Sequence, residues 1–169
     1  MINKVTIQDD FHIYSKLLND SFATVAAEFG LTKENSPTNN AFITQEELYS
    51  QLTESREFYY YEDNNVIIGF IAIEQSSNNQ NIFYIEKVAV HPNFRNKGIG
   101  LELMNFATLR IMQLEGQEIS IGLIDSNLIL KEWYKTQGFI ETGVKSYKHL
   151  PFNVCFMSKY LDTFRFTRF

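Results

Sequence analysis

The sequence predicts a mixed α/β fold. Three observations predict it: apolar residues recur at helical spacing in several segments, three strand-like segments follow one another between residues 58 and 90, and strands alternate with helices after residue 99. The 169 residues are enough to bury a core without disulfide or metal support. No repeat or linker divides the chain, so we expect a single domain over residues 1–160 and a tail, residues 161–169, of unclear role.

The first third of the chain predicts one strand and two helices. Residues 5–8 alternate between apolar and polar, as in a half-buried strand. The acidic pair at residues 9–10 is typical of a helix start, and Gly30 follows the apolar stripe where a helix would end. The next segments predict a polar loop at residues 31–42 and a helix, opened by a capping box, at residues 44–55.

The remaining two thirds predict a meander followed by alternating helices and strands. The strands of the meander are rich in aromatic and branched residues, and polar turns at residues 63–65 and 76–80 separate them. In chain order the predicted segments are strands at 58–61, 66–75 and 82–90, a helix from 99 to before Gly116, a strand at 119–124, a helix at 128–137, and strands from 139 onward and at 154–160.

Composition and charge argue against several classes of function. Fifteen basic and twenty acidic residues give a net charge of −5, whereas nucleic-acid-binding domains usually carry a basic surplus. Cys155 is the one cysteine and the three histidines lie far apart, so we expect no disulfide and no metal site. No apolar run approaches a membrane span, and we expect no signal peptide because the first residues lack a long apolar core. We therefore expect a cytoplasmic protein that binds neither membrane nor nucleic acid.

The most informative segment is a strand–loop–helix junction at residues 88–100. Its loop opens a helix through Gly98 and Gly100, and glycine lets the backbone approach a ligand closely. Main-chain N–H groups at a helix start bind anions, and Arg95 and Lys97 add positive charge. The segment predicts a phosphate or diphosphate ligand, although glycines that only close a turn would leave the same pattern. The P-loop ending and the three glycines of the Rossmann fingerprint are both absent.

This junction resembles the acetyl-CoA-binding motif of the GNAT N-acetyltransferases, Arg/Gln-x-x-Gly-x-Gly/Ala. A second segment resembles the later cofactor-binding segment of that family, and the likeness covers about residues 1–160. The matching residues are Arg95, Gly98 and Gly100, then Asn127, Trp133, Tyr134, Gly138 and Phe139. The resemblance implies a mixed, mostly antiparallel sheet of about six to seven strands with about four helices. It also implies an enzyme that moves the acetyl group from acetyl-CoA to a primary amine, without a metal.

The resemblance further implies a place for each part of coenzyme A. The diphosphate would lie on the loop, formed by Arg95, Asn96, Lys97, Gly98, Ile99 and Gly100. The pantetheine arm would lie like an extra strand between two splayed strands, against Val88, Ala89 and Val90. Asn127 and Tyr134 are seven positions apart, nearly two helical turns, so both can face this arm.

Two side chains are the candidate catalytic groups. By resemblance, Tyr134 is the general acid that protonates the departing thiolate; the alternative is a core aromatic with its hydroxyl at the surface. Glu86 stands out in a mostly apolar strand, where we expect it on the same face as Val88 and Val90. Related enzymes often use a glutamate near this point to remove the amine proton through water. A glutamate that only reaches solvent or a backbone amide is equally compatible with the sequence.

Two other functions stay open at this point. A non-catalytic acyl-CoA sensor would need the loop but neither Tyr134 nor Glu86, and another kind of nucleotide-binding protein would prefer ATP or NAD. The acceptor is expected to meet the first two helices, the loop at residues 31–42 and the segment at residues 145–153. Small amines, peptide N-termini and lysine side chains are all candidates, and a homodimer is a further open question.

Overall fold

Seven strands and four α-helices make up the part of the chain that the computed structural model describes, residues 1–162. Residues 163–169, most of the predicted tail, lie outside the described residues. The strands are β1 (Ile2–Lys4), β2 (Arg56–Asp63), β3 (Val66–Gln75), β4 (Ile82–Val90), β5 (Glu118–Ile124), β6 (Ile140–Ser146) and β7 (Asn153–Tyr160). The helices are α1 (Phe11–Glu28), α2 (Gln45–Gln51), α3 (Ile99–Gln113) and α4 (Leu128–Lys135), and short 3-10 turns span Asn40–Phe42 and Pro92–Phe94.

The strands form one mixed sheet in the order β1-β2-β3-β4-β5-β7-β6. Every neighbouring pair is antiparallel except β4 and β5, which are parallel. The crossover from β4 through α3 to β5 accounts for this parallel pair, because parallel strands need a long connection. The mixed, mostly antiparallel sheet of seven strands with four helices confirms the predicted fold class.

Two apolar clusters cover opposite faces of the sheet. On one face, α1 and α2 pack with side chains such as Phe58, Phe70 and Ala89. On the other face, α3 and α4 pack with side chains such as Ile71, Phe83 and Ile121. No helix within residues 1–162 is both long enough and apolar enough to cross a membrane.

Local hydrogen bonds shift two of the predicted boundaries. Residues 5–8 are not a strand: the Asp9 carboxylate accepts hydrogen bonds from the main-chain N–H and the hydroxyl of Thr6 at 2.9 and 3.1 Å, and the resulting turn ends β1. The capping box of Thr44 and Glu47 is present, but α2 ends at Gln51, four residues earlier than predicted. By contrast, β3 and β4 have the predicted limits.

Candidate active site

The strands β4 and β5 separate at the centre of the sheet. Their paired residues run only from Ile82↔Glu118 to Tyr84↔Ser120. Beyond that point, among the described residues 1–162, β4 pairs with β3 alone and β5 pairs with β7 alone. In this part of the chain, the edge of β4 that faces β5 beyond Tyr84 therefore has no strand partner, and an extended ligand can pair with its main-chain groups as another strand would. The structure thus contains the splayed pair that the family resemblance implied.

A loop whose main-chain N–H groups are available as donors follows the separated end of β4; we call residues 96–100 the donor loop. Asn96 and Gly98 have φ angles of 61° and 82°, and the left-handed Gly98 is the N-cap of α3. Within residues 1–162, the N–H groups of Asn96, Lys97 and Gly98 donate to no other group. The N–H groups of Ile99 and Gly100 open a helix of 15 residues and lack a carbonyl four residues earlier in that helix. Five consecutive N–H donors at a helix N-terminus can together bind an anion.

The two basic side chains of this loop lie in different surroundings. The Arg95 guanidinium donates hydrogen bonds to the Val90 carbonyl, to Thr24 and to the Ser21 carbonyl, so it lies between the loop and α1. The sequence analysis predicted that the Arg95 charge would lie at the anion site, whereas in the structure the guanidinium is directed to α1. Lys97 is exposed, with Nζ 5.2 Å from the centre of the Phe94 ring.

Gly100 brings the start of α3 close to α4. A Cβ atom at this position would lie 3.4 Å from the indole of Trp133 and 3.8 Å from the Val90 side chain. The helix that carries Tyr134 is therefore packed directly against the donor loop. A larger side chain at residue 100 would push these elements apart.

Tyr134 is buried near the C-terminal end of α4. Its ring lies edge-on to Trp133 and Phe139, with centroid separations of 5.0 and 5.5 Å, and only 7% of the residue is exposed. Burial raises the pKa of the Tyr134 phenol well above its usual value, so the hydroxyl keeps its proton at neutral pH. The hydroxyl makes no hydrogen bond with any group in the described part of the chain, which leaves it free to donate to a ligand.

Asn127 is the N-cap of α4. Its side-chain oxygen accepts a hydrogen bond from the Leu130 N–H at 3.2 Å, which fixes the side chain at the helix start. The amide nitrogen of Asn127 makes no hydrogen bond within residues 1–162. This nitrogen is therefore the part of Asn127 that can donate to a ligand.

Glu86 lies on the opposite face of the sheet from Val88 and Val90, so the predicted shared face is wrong. The cause is a bulge: the paired residues change from Ala72↔Glu86 to Phe70↔Ala89, and Lys87 between them has a φ of 54°. Glu86 therefore points to the side of α1 and α2, while Val88 and Val90 pack on the side of α3. An extra residue in a strand reverses the alternation that the prediction assumed.

The Glu86 carboxylate is partly exposed and paired. One oxygen lies 3.6 Å from a guanidinium nitrogen of Arg56, and 39% of the side chain is accessible. The same guanidinium also bonds Glu74 on the neighbouring strand. Water can therefore reach Glu86 while Arg56 restrains it.

Lys87 was missed by the sequence reasoning. Its ammonium donates to the Asn40 side-chain oxygen at 2.8 Å, and burial lowers the pKa of this lysine. The available signal was a second charged residue beside Glu86 in a mostly apolar strand. Lys87 links the bulge of β4 to the loop between α1 and α2.

The two segments expected to meet the acceptor lie against each other. Phe152, from the segment between β6 and β7, packs in the same small cluster as Leu31 and Phe42 from the loop between α1 and α2. Ile124 at the end of β5 belongs to this cluster too.

Within residues 1–162 no group of three His, Cys, Asp or Glu side chains is placed to hold a metal ion.

Comparison with known proteins identifies the family. Residues 28–153, more than half of the chain, match the family described as an acetyltransferase (GNAT) domain. The chain therefore belongs to the GNAT acetyltransferase family, and the protein is an acetyltransferase. This confirms the resemblance drawn from the two sequence motifs.

Solved structures share the fold at low sequence identity. The ribosomal-protein-S18-alanine N-acetyltransferase from Escherichia coli is 12% identical, with a TM-score of 0.74 over 95% of this chain and 92% of that chain. The PaiA N-acetyltransferase from Thermoplasma acidophilum, in complex with coenzyme A, is 18% identical, with a TM-score of 0.76 over 95% and 98%. A GNAT family acetyltransferase from Elizabethkingia anophelis with acetyl-CoA bound is 20% identical, with a TM-score of 0.68 over 95% and 97%.

Proposed function

We propose that the protein transfers the acetyl group of acetyl-CoA to a primary amine by direct attack of the amine. The observation that carries this proposal is the open edge of β4 leading into the donor loop. An arm with amide groups, ending in a diphosphate, fits an open strand edge that leads to the donor loop. ATP and NAD have a diphosphate but no such arm, so the geometry favours coenzyme A over both.

The donor loop would hold the diphosphate mainly through the main chain. We assign this role to Asn96, Lys97, Gly98, Ile99 and Gly100, with the exposed Lys97 ammonium adding charge. Arg95 belongs to the same loop, although its guanidinium is engaged by α1. The N-terminus of α3 adds a favourable dipole for a negative group.

The open edge of β4 would hold the extended arm. Main-chain groups of Val88 and Val90 are assigned to its amides, and Ala89 between them packs under α1. The Val90 carbonyl already accepts from Arg95 at 3.2 Å and has a second lone pair for a ligand. The Asn127 amide nitrogen is the side-chain donor placed at the start of α4.

Tyr134 is the proposed general acid. Acetyl-CoA, when bound, supplies an acetyl thioester as the acyl donor. Because burial raises the pKa of Tyr134, its hydroxyl keeps a proton at neutral pH and can donate it to a developing thiolate. The rings of Trp133 and Phe139 fix the direction of the phenol.

Glu86 is the proposed base for the acceptor. An alkylammonium must lose a proton before its nitrogen can attack, and a partly hydrated carboxylate can accept that proton through water. The side of the sheet on which Glu86 lies also carries α1, α2 and their connecting loop. We therefore propose that the amine approaches from this side.

The acceptor itself is proposed only as a primary amine. Two similar structures are named for the acetylation of a ribosomal-protein alanine, which makes a peptide N-terminus one candidate beside small amines and lysine side chains.

We further propose that residues 1–160 act as one catalytic domain. Its single cysteine is compatible with a reducing compartment, and we propose a cytoplasmic location.

A thiol-release assay with a panel of amines tests the proposal. The panel should contain polyamines, amino acids, peptides with a free N-terminus and lysine peptides blocked at the N-terminus. We expect release of coenzyme A above the no-amine rate with at least one class. Tight binding of coenzyme A without release over every class would favour the sensor instead, and stronger calorimetric binding of ATP or NAD would contradict both.

A further inference from the structure

Arg95 uses its guanidinium to join two distant parts of the chain. Nε donates to the Val90 carbonyl at 3.2 Å, within the same strand–loop junction. The two terminal nitrogens donate to Thr24 Oγ1 at 3.0 Å and to the Ser21 carbonyl at 2.7 Å, both on α1. The Thr24 hydroxyl donates in turn to the Ser21 carbonyl at 3.2 Å, which directs its lone pairs away from that carbonyl. Every guanidinium nitrogen therefore has a protein acceptor.

Helix α1 also holds the loop on the acceptor side. The Asn19 side-chain nitrogen donates to the carbonyls of Asn40 and Ile43, both at 3.1 Å. The side-chain oxygen of Asn40 accepts from Lys87 in the β4 bulge. Hydrogen bonds thus run from one end of the open β4 edge, through the loop at Asn40 and α1, to Arg95 at the other end.

We propose that Arg95 is a positioning residue, which ties the donor loop to α1 instead of giving its charge to the diphosphate. The proposal rests on the proposed function in one respect, that the loop binds coenzyme A. The planar fork of arginine reaches three acceptors on two elements at once. Lysine has the same charge, but its single nitrogen on a flexible stem cannot span them. Shape, and not charge, is therefore the property that this position requires.

Two consequences follow for the reaction. Without the hydrogen bonds that tie Arg95 to α1, called the tie below, the donor loop becomes ordered only when coenzyme A binds. Because binding then includes the entropy cost of ordering the loop, the affinity for coenzyme A falls. Because α1 also carries the Asn19 contacts, movement of α1 changes the acceptor side, so the KM for the amine rises as well. A side chain that only neutralised phosphate would leave the amine KM unchanged.

Substitutions at both ends of the tie separate shape from charge. Arg95→Lys and Arg95→Gln should weaken coenzyme A binding in calorimetry by the same factor, about fivefold. Thr24→Val should weaken it about twofold to threefold in the wild-type background and not at all in Arg95→Lys, while Thr24→Ser should keep the wild-type affinity. The matched control is Thr108→Val, which removes a helical threonine hydroxyl from α3 and should leave binding unchanged.

Clear results would overturn the proposal. If Arg95→Lys bound coenzyme A like the wild type and Arg95→Gln did not, the charge of residue 95 and not its shape would determine the affinity. Effects of Thr24→Val and Arg95→Lys that multiply independently would show that the two residues do not act together. If Arg95 variants do not fold by circular dichroism, equal affinities of Thr24→Val and Thr24→Ser contradict the tie.

Failure of the proposed function gives a different result. Binding without turnover leaves the calorimetric test of Arg95 in place. If the proposed function fails in the one respect on which the Arg95 proposal depends, the wild-type protein binds no coenzyme A. The tie is then judged from the free energy of unfolding in urea, where Thr24→Val and Arg95→Lys should be non-additive. Additive losses there would overturn it.

Discussion

Replacing Tyr134 with phenylalanine removes one oxygen atom and keeps the packed ring. The ring contacts with Trp133 and Phe139, at 5.0 and 5.5 Å, do not involve that oxygen. Because the hydroxyl bonds to nothing in residues 1–162, its loss breaks no hydrogen bond of the folded protein. We therefore expect a melting temperature within about a degree or two of the wild type.

The effect on turnover should be much larger. A positioned general acid contributes about 10²–10⁴ in rate, and water can partly replace it. We expect kcat to fall at least about tenfold while the Kd of coenzyme A changes less than about twofold. Since the raised pKa keeps the phenol protonated, the deficit should be constant from neutral to mildly basic pH.

Tyr59→Phe is the matched control for this experiment. Tyr59 is as buried as Tyr134, but its hydroxyl donates to Glu57 at 2.6 Å, and burial raises its pKa to about 12. Losing a hydrogen bond to a carboxylate should cost about 1.5–3 kcal/mol of stability, with kcat unchanged. Both variants are assayed by thiol release at saturating acetyl-CoA. If Tyr134→Phe turned over like the wild type at every pH, Tyr134 would have no acid role.

Three more predictions concern Glu86, Gly98 and Glu57. Glu86→Gln should lower kcat/KM for the amine about tenfold without changing coenzyme A affinity, whereas Glu74→Gln, which removes the other partner of Arg56, should not; equal effects would contradict a base role. Gly98→Ala meets no atom within 4 Å but is strained at a φ of 82°, so we expect a loss of about 1–2 kcal/mol in urea unfolding and weaker coenzyme A binding; an unchanged affinity would separate the loop from the ligand. Glu57 accepts hydrogen bonds from Arg110, which lower its pKa from 4.5 to about 2, so about 3 kcal/mol of stability is present above pH 4.5 and is lost as the pH falls towards 2. Glu57→Gln should remove most of this loss of stability between pH 4.5 and pH 2. The same loss in the variant would argue against the pairing of Glu57 with Arg110.

Long patterns in the sequence predicted most of the fold. The strands β3 and β4 have the predicted limits because each is a run of apolar residues between polar turns, which leaves one register. The first strand was misplaced because the Asp9 side chain forms a turn with Thr6 just where the alternation continues. Short segments depend on such single contacts, and periodicity does not contain them.

The site was predictable only where it follows a motif. The donor loop and the buried Tyr134 stand at positions that the motifs marked. The bulge at Lys87 could not be predicted, because one extra residue in a strand leaves no trace in the composition of that strand. The two partners of Arg95 on α1 are 71 and 74 positions away, and only the packing of α1 beside the loop brings them to Arg95.

A crystal structure of the complex with coenzyme A tests the central claim most directly. We expect the diphosphate within hydrogen-bond distance of the N–H groups of residues 96–100, the arm along residues 88–90 of β4, and the sulfur beside the Tyr134 hydroxyl. Arg95 should keep its contacts with α1 in that complex. A diphosphate bound elsewhere, or a sulfur out of reach of Tyr134, would contradict the account.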